Sequence, residues 1–131
     1  MNQVNGCGNG IQGNYNGVQG NGNGIVGSAN HIRGDGNGIK GDLNLIKDGD
    51  CNMINGHQNA IVDGSFNGIK GNNNFAKGNG NYIQGHGNGV VGHVNAVKGH
   101  GNLVCGDENV VIGDGCVKPD PKIPKYPKAH C

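Results

Sequence analysis

Apolar residues recur along this chain with a period of seven, always two places after the same polar residue. The unit G-x-x-N-x-[IV]-x runs from Gly6 to Ile112 as fifteen consecutive repeats, and a half unit with Asn2 and Val4 precedes them. The apolar position is Ile or Val in every unit except the one that carries Ala76. Residues two apart lie on the same side of an extended chain, whereas a helix would separate them and would be destabilised by regular glycines. The pattern therefore predicts one short strand per unit, with a glycine at each corner where the backbone turns sharply.

The asparagine of the repeat is invariant, which predicts a buried ladder of amide side chains. A single strand cannot bury its Ile, but stacked coils build a continuous inner column of Ile and Val. An Asn amide carries donors and an acceptor, so asparagines stacked in register can bond to each other or to the corner backbone. A buried Asn without such partners would cost roughly 1–3 kcal/mol. The predicted ladder consists of Asn9, Asn16, Asn23, Asn30, Asn37, Asn44, Asn52, Asn59, Asn67, Asn74, Asn81, Asn88, Asn95, Asn102 and Asn109.

Two breaks in the period indicate how many units make one coil. Asp48 and Asp63 are each one extra residue, placed directly before Gly49 and Gly64. They are separated by two units, so a coil of two units places both at the same corner on successive coils, whereas a coil of three units does not. The sequence thus predicts an all-β fold, a parallel β-solenoid or β-roll with two short strands per coil of 14–15 residues. About eight coils stack at a spacing of ~4.8 Å.

The end of the chain departs from the repeat. After Gly113 the pattern stops, Cys116 stands where Asn is expected, and four prolines follow. We therefore predict a solenoid domain over residues 1–113 and an extended C-terminal capping tail over residues 114–131. Cys116 and Cys131 bracket this tail and form a possible disulfide, for which Cys105 is a competing partner. The remaining cysteines, at positions 7 and 51, are some three coils apart and too distant to bridge each other.

Composition and charge exclude several function classes. The net charge is +1, which does not favour nucleic acid, and no apolar run approaches the ~20 residues of a membrane-spanning helix. No charged segment followed by an apolar run opens the chain, so the location is predicted to be extracellular if a leader was removed and cytoplasmic otherwise. A repeat creates identical sites, whereas catalysis needs dissimilar groups that converge, so neither an enzyme nor a cofactor is predicted.

The histidines form the strongest metal candidate in the sequence. With two units per coil, His57, His86 and His100 share one corner, and His93 lies at the opposite corner. His86 and His100 are expected to lie one rung apart. No Cys or acidic ligand is paired with them in sequence, so no metal site is predicted.

The repeat resembles a known family. The segments "GNGIVG", "SANHIRG", "GHQNAIVDG" and "NNNFAKG" resemble the xxNxVxG units of the ryegrass antifreeze protein and of grass ice-recrystallisation-inhibition domains. The resemblance covers residues 2 to about 113 and implies a β-roll that binds ice through a flat outward ladder rich in Thr, Ser and Val. This chain has no Thr, and its serines are Ser28 and Ser65. The flattest outward stretch is therefore the predicted ice face, which consists of Gly10, Gln12, Gly24, Val26 and Gly38.

Two other function classes compete with ice binding. Glycine-rich outer faces and solenoid ends favour a structural protein that self-associates as a filament or adhesin-like module. A weaker similarity to the GxxSxAxG heptads of trimeric autotransporter adhesin heads is consistent with that class. Carbohydrate adhesion is favoured only by Tyr15, Phe66, Phe75 and Tyr82, which do not share one predicted ladder.

Overall fold

Two parallel β-sheets make up the fold, and the chain alternates between them strand by strand. The computed structural model describes residues 1–119. Odd-numbered strands form a nine-stranded sheet, here the odd sheet, and even-numbered strands form an eight-stranded sheet, the even sheet. Residues 1–119 contain no helix, and thus none long and apolar enough to span a membrane. The strands are β1 (Gln3–Asn5), β2 (Gly10–Gln12), β3 (Gly17–Gln19), β4 (Gly24–Val26), β5 (His31–Arg33), β6 (Gly38–Lys40), β7 (Leu45–Lys47), β8 (Met53–Asn55), β9 (Ala60–Val62), β10 (Gly68–Lys70), β11 (Phe75–Lys77), β12 (Tyr82–Gln84), β13 (Gly89–Val91), β14 (Ala96–Lys98), β15 (Leu103–Cys105), β16 (Val110–Ile112) and β17 (Val117–Lys118).

The strand register confirms two strands per coil. His31 pairs with Leu45 fourteen residues later, and Leu45 pairs with Ala60 fifteen residues later. The longer coils contain the extra residues Asp48 and Asp63, which both lie where the chain leaves the odd sheet for the even sheet. The two insertions therefore occupy the same corner on successive coils, as the sequence predicted.

The core is a double column of aliphatic side chains between the sheets. Each strand of the interior contributes its central residue, so that every such side chain from Val18 to Val111 is at most 4% exposed. Ala76, the exception in the repeat, is fully buried in the same column. Along each strand from β3 to β16, a buried residue lies between two more exposed ones, which explains why an apolar residue is required only once in seven positions.

Asparagines form a second buried column beside the aliphatic one. Asn16 through Asn102 are each 1–2% exposed, whereas Asn9 and Asn109 at the ends are partly exposed. Asn59 is representative: its backbone N–H and its Nδ2 donate to Oδ1 of Asn44 at 3.0 and 3.2 Å, and Nδ2 also donates to the Gly71 carbonyl at 2.8 Å. Within residues 1–119, no buried side-chain nitrogen or oxygen lacks a hydrogen-bond partner. The predicted ladder is confirmed.

The glycine that opens each unit is required by the packing of one coil on the next. We call the turn from an odd to an even strand the first corner, and the turn from an even to an odd strand the second corner. Gly20, at a first corner, has a φ of +139°, and a Cβ built there would lie 2.0 Å from the carbonyl oxygen of Gly34. Two residues later the backbone is left-handed again, and there non-glycine residues such as Val94 (φ 58°) are present. No side chain therefore fits at the first residue of the unit, whereas a non-glycine residue at the third residue causes only backbone strain.

The ladder of strands continues past the last complete repeat. Strand β17 pairs with β15, and the Cys116 backbone N–H donates to Oδ1 of Asn102 at 2.7 Å, in the place of the missing asparagine. Cys116 is buried and is bonded in a disulfide. The predicted partner, Cys131, and the rest of the predicted capping tail (120–131) lie outside the described residues. The pairing and the domain limits therefore stay predictions.

Candidate functional site

Each strand from β2 to β16 presents two outward residues, one on either side of its central residue, so each sheet carries two outward ladders. On the even sheet, the ladder that precedes the buried column is Gly10, Gly24, Gly38, Met53, Gly68, Tyr82, Ala96 and Val110. The ladder that follows the buried column is Gln12, Val26, Lys40, Asn55, Lys70, Gln84, Lys98 and Ile112. These ladders are the surfaces available for recognition.

The five residues of the predicted ice face lie together on strands β2, β4 and β6 of the even sheet. Gly10 pairs with Gly24 and Gly24 with Gly38, while Gln12 pairs with Val26. We call the three aligned glycines Gly10, Gly24 and Gly38 the glycine strip. A Cβ built at any of them meets no atom within 4 Å, so no neighbouring side chain lies over the strip. Their backbone N–H groups donate to carbonyls of the next coil at 2.8–2.9 Å, which fixes the strip in place.

Other outward glycines are covered by the side chain of the next coil. A Cβ on Gly68 would lie 3.3 Å from the Tyr82 ring, and a Cβ on Gly89 would lie 3.3 Å from Leu103 Cδ1. On the odd sheet, Gly17 lies under His31 in the same way. The glycine strip differs from these glycines because no side chain covers it on three consecutive coils of the even sheet.

Charged residues are sorted by position in the coil. Every Lys or Arg within residues 1–117 is the last residue of a strand, and every Asp or Glu in that range lies at a corner. Arg33 and Asp48 show the resulting contact, with Nε 2.9 Å from Oδ1 across adjacent coils. The glycine strip is bordered by one cation, Lys40, and by no carboxylate on its own strands.

A second ladder, which the sequence reasoning missed, follows both corners. The side chain directly after each corner glycine accepts the backbone N–H of its equivalent one coil earlier. Asn21 N–H donates to Asp35 Oδ1 at 2.6 Å, and Asn79 N–H donates to His93 Nδ1 at 3.0 Å. We call these side chains the corner ladder. Its sequence signal was available: this position holds Asn, Asp, Ser or His, all hydrogen-bond acceptors, in every repeat after the first, where Cys7 stands.

The histidines belong to this corner ladder. His86 and His100 stack on adjacent coils, with ring centroids 5.1 Å apart and planes 7° from parallel, as their predicted placement required. Their Nδ1 atoms accept the backbone N–H groups of Asn72 and His86 at 3.1 and 3.2 Å, so Nδ1 is not free to bind a metal. Parallel rings also aim their Nε2 atoms along parallel lines rather than at one point. Among residues 1–119 no group of three or more His, Cys, Asp or Glu could hold a metal ion.

The aromatic and cysteine side chains do not assemble into a site. Tyr15 and Phe66 lie at opposite corners, whereas Phe75 lies on the odd sheet and Tyr82 on the even sheet, so the four aromatics share no surface. Within residues 1–119, the free cysteines are Cys7, Cys51 and Cys105.

Comparison with known proteins identifies the family. A family model described as the grass antifreeze beta roll matches residues 25–118. This chain therefore belongs to the grass antifreeze β-roll family, a family of non-enzymatic antifreeze proteins, and ice binding is the function that this membership gives it.

The other comparisons add nothing to this assignment. A search of curated proteins found no match. The crystal structure of the polySia specific acetyltransferase NeuO matches over 89% of this chain and 50% of that chain, with 16% sequence identity and a TM-score of 0.18. The present chain thus spans about half the length of that protein, and a similarity at this TM-score supports no argument.

Proposed function

We propose that ice is bound by the glycine strip together with Gln12 and Val26. The observation that carries this proposal is the alignment of three open glycines in register on consecutive coils. Rungs of a parallel sheet repeat at ~4.8 Å, and outward residues of one strand lie about 6.6 Å apart. The surface is therefore a regular grid of five uncharged residues with Lys40 at its edge, suited to the flat and regular surface of a crystal.

The strip also loses little entropy when it meets ice. Glycine has no side chain to immobilise, whereas a lysine loses up to about 2 kcal/mol of rotamer entropy when it is fixed. Because the strip's backbone N–H groups are already bonded within the sheet, the surface keeps its shape without water. Lysine ammonium groups are strongly hydrated and project above the sheet. Ice contact is thus favoured where Gly, Gln and Val replace Lys.

The opposite sheet offers a matched comparison. Val26 on β4 and Val91 on β13 both end their strands, and they are 48% and 41% exposed. Each has one lysine as a lateral neighbour, Lys40 beside Val26 and Lys77 beside Val91. The two valines therefore differ mainly in the sheet on which they lie.

A pair of substitutions tests the assigned face. Val26→Lys places a long, hydrated side chain beside the glycine strip and is expected to raise at least tenfold the concentration needed to stop ice recrystallisation. Val91→Lys adds the same charge on the odd sheet and is expected to leave this concentration unchanged. Ice-crystal growth in annealed thin films measures both. Equal loss in the two variants, or loss in Val91→Lys alone, would remove the even sheet from the proposal.

We further propose that the chain has no catalytic activity. Self-association is the alternative to ice binding at the glycine strip. The flat glycine strip could also receive a second copy of the chain, which would bury the proposed ice face. Sedimentation velocity, combined with the recrystallisation assay, separates the two roles. A monomer that inhibits ice recrystallisation supports ice as the partner of the strip, whereas a dimer that does not inhibit ice recrystallisation supports self-association.

A further inference from the structure

A groove of about 480 Å³ lies along the second corner, away from the glycine strip, and carries polar side chains on both sides. One side is formed by the last residues of three neighbouring strands of the even sheet, Lys70, Gln84 and Lys98. The other side is formed by the stacked rings of His86 and His100. Hydrogen-bond donors thus face the groove from both sides and recur from coil to coil.

The corner ladder determines which ring nitrogen of each histidine carries the proton. Nδ1 of His86 and Nδ1 of His100 each accept a backbone N–H, so neither Nδ1 is protonated. In a neutral imidazole the proton is then on Nε2, the nitrogen on the far side of the ring from the accepted backbone N–H. The two rings therefore offer two parallel N–H donors, one rung or ~4.8 Å apart.

No carboxylate within residues 1–119 forms an ion pair with either groove lysine. Among residues 1–119, the acids that contact a basic side chain are Asp48, against Arg33, and Asp42, against His57, and neither contact involves Lys70 or Lys98. The two lysines lie on β10 and β14, which flank β12, so they are two rungs or about 9.6 Å apart along the groove.

Among residues 1–119, one carboxylate lines the groove, at its C-terminal end. Asp114 lines the groove there, and its Oδ1 is already occupied by the His100 backbone N–H at 2.8 Å. Between Lys70 and Asp114, the corner glycines Gly71, Gly85 and Gly99 also line the groove, and they have no side chain that would fill it.

We propose that this groove binds an acidic polysaccharide, with carboxylates at Lys70 and Lys98 and hydroxyl groups on the histidine and glutamine donors. A linear uronate polymer carries charges at regular intervals with hydroxyls between them, which matches alternating cationic and neutral donors along one line. The net charge of +1 and the presence of two lysines among the residues that line this groove argue against nucleic acid, which needs a broad basic surface. This site is separate from the ice face and adds a second ligand class.

The repeat supplies variants that shorten or neutralise the groove donors while they keep the corner hydrogen bonds. Asn72 occupies the same corner ladder and accepts the His57 backbone N–H through Oδ1 at 2.8 Å. The double variant His86→Asn with His100→Asn should therefore keep the corner bonds while it replaces each ring Nε2–H with the amide N–H of a shorter side chain, which reaches less far into the groove. Lys70→Gln with Lys98→Gln removes both charges. The matched controls are His57→Asn on the same corner ladder and Lys77→Gln at the same strand position of the odd sheet.

Titration calorimetry of the full chain with a galacturonate hexamer tests the proposal. We expect the hexamer to bind, the neutral maltohexaose not to bind, and each double variant to lose at least tenfold in affinity. The two control variants should bind as the original chain does, and added salt should weaken binding. Absence of hexamer binding, unchanged affinity in both double variants, or tighter binding of a single-stranded DNA dodecamer than of the hexamer would each overturn the proposal.

Discussion

Removal of one asparagine from the middle of the buried ladder should cost several kcal/mol of stability. In Asn59→Ala, the backbone N–H of Asn74 loses its acceptor, Asn59 Oδ1 at 3.0 Å. The carbonyl of Gly71 loses the Nδ2 donor at 2.8 Å. Asn44 Oδ1 and Asn74 Nδ2 each keep another bond, to the backbone N–H of residue 59 and to the Gly85 carbonyl.

The magnitude follows from the two groups left without partners. Each buried unsatisfied polar group costs about 1–3 kcal/mol, so the substitution should lower the free energy of unfolding by about 2–6 kcal/mol. A typical domain has about 5–15 kcal/mol in total. The matched control is Asn109→Ala at the partly exposed end of the same ladder. There, among residues 1–119, the side chain makes a single bond, from Nδ2 to Asn95 Oδ1 at 3.0 Å, so about 1 kcal/mol is expected.

Urea unfolding followed by circular dichroism measures the free-energy differences, and amide hydrogen exchange reports on the site itself. The Asn74 amide should exchange much faster in Asn59→Ala, while amides several coils away stay protected. If Asn59→Ala were no less stable than Asn109→Ala, or if the Asn74 amide stayed protected, the hydrogen-bonded ladder would not be the main source of order.

Three further outcomes are expected. Replacing all three residues of the glycine strip with Thr should raise the melting temperature in thermal unfolding, because each Cβ has open space and Thr favours strands; Gly17→Thr, which crowds a His31 ring 3.1 Å away, should not raise it. Gly20→Ala should lower stability by about 3 kcal/mol in thermal unfolding, because its Cβ would overlap a carbonyl oxygen, whereas Gly22→Ala (φ +65°, open space) should cost about 1 kcal/mol. His93→Phe should lower the free energy of unfolding by about 1 kcal/mol, whereas His93→Asn should leave it unchanged, because Asn keeps an acceptor for the Asn79 N–H. An equal loss of stability in both variants would contradict a role for the corner ladder.

The fold was predictable because the repeat constrains it at every seventh residue. Asn and Ile two apart required a shared inner face, and Asp48 and Asp63 supplied the coil length, since inserted residues are tolerated together only where corners stack. The register of β7, β8 and β9 confirms this reasoning.

The surface was less predictable, because the constraint on it is weaker and acts between coils. The second residue of each unit varies in identity, so its common property, an acceptor atom, was hidden among Asn, Asp, Ser and His. The openness of the glycine strip was predictable at Gly10 and Gly24, because the next coil carries another glycine there. It was not predictable at Gly38, which is open although Met53 follows on the next coil, whereas Gly68 is covered by the Tyr82 ring. This difference depends on the rotamer of a large neighbour one coil away.

The amide ladder also bears on the chemical lifetime of the molecule. Asn–Gly sequences age in water when the glycine nitrogen attacks the asparagine side chain and ammonia leaves, and asparagine is accordingly thermolabile. Asn23 precedes Gly24, but the Gly24 nitrogen is engaged with the Asn37 carbonyl at 2.8 Å. The Asn23 amide is held at the same time by Asn9 Oδ1 and the Gly34 carbonyl. Ring closure would have to break these contacts first, so folding preserves a sequence that would deteriorate quickly as a free peptide.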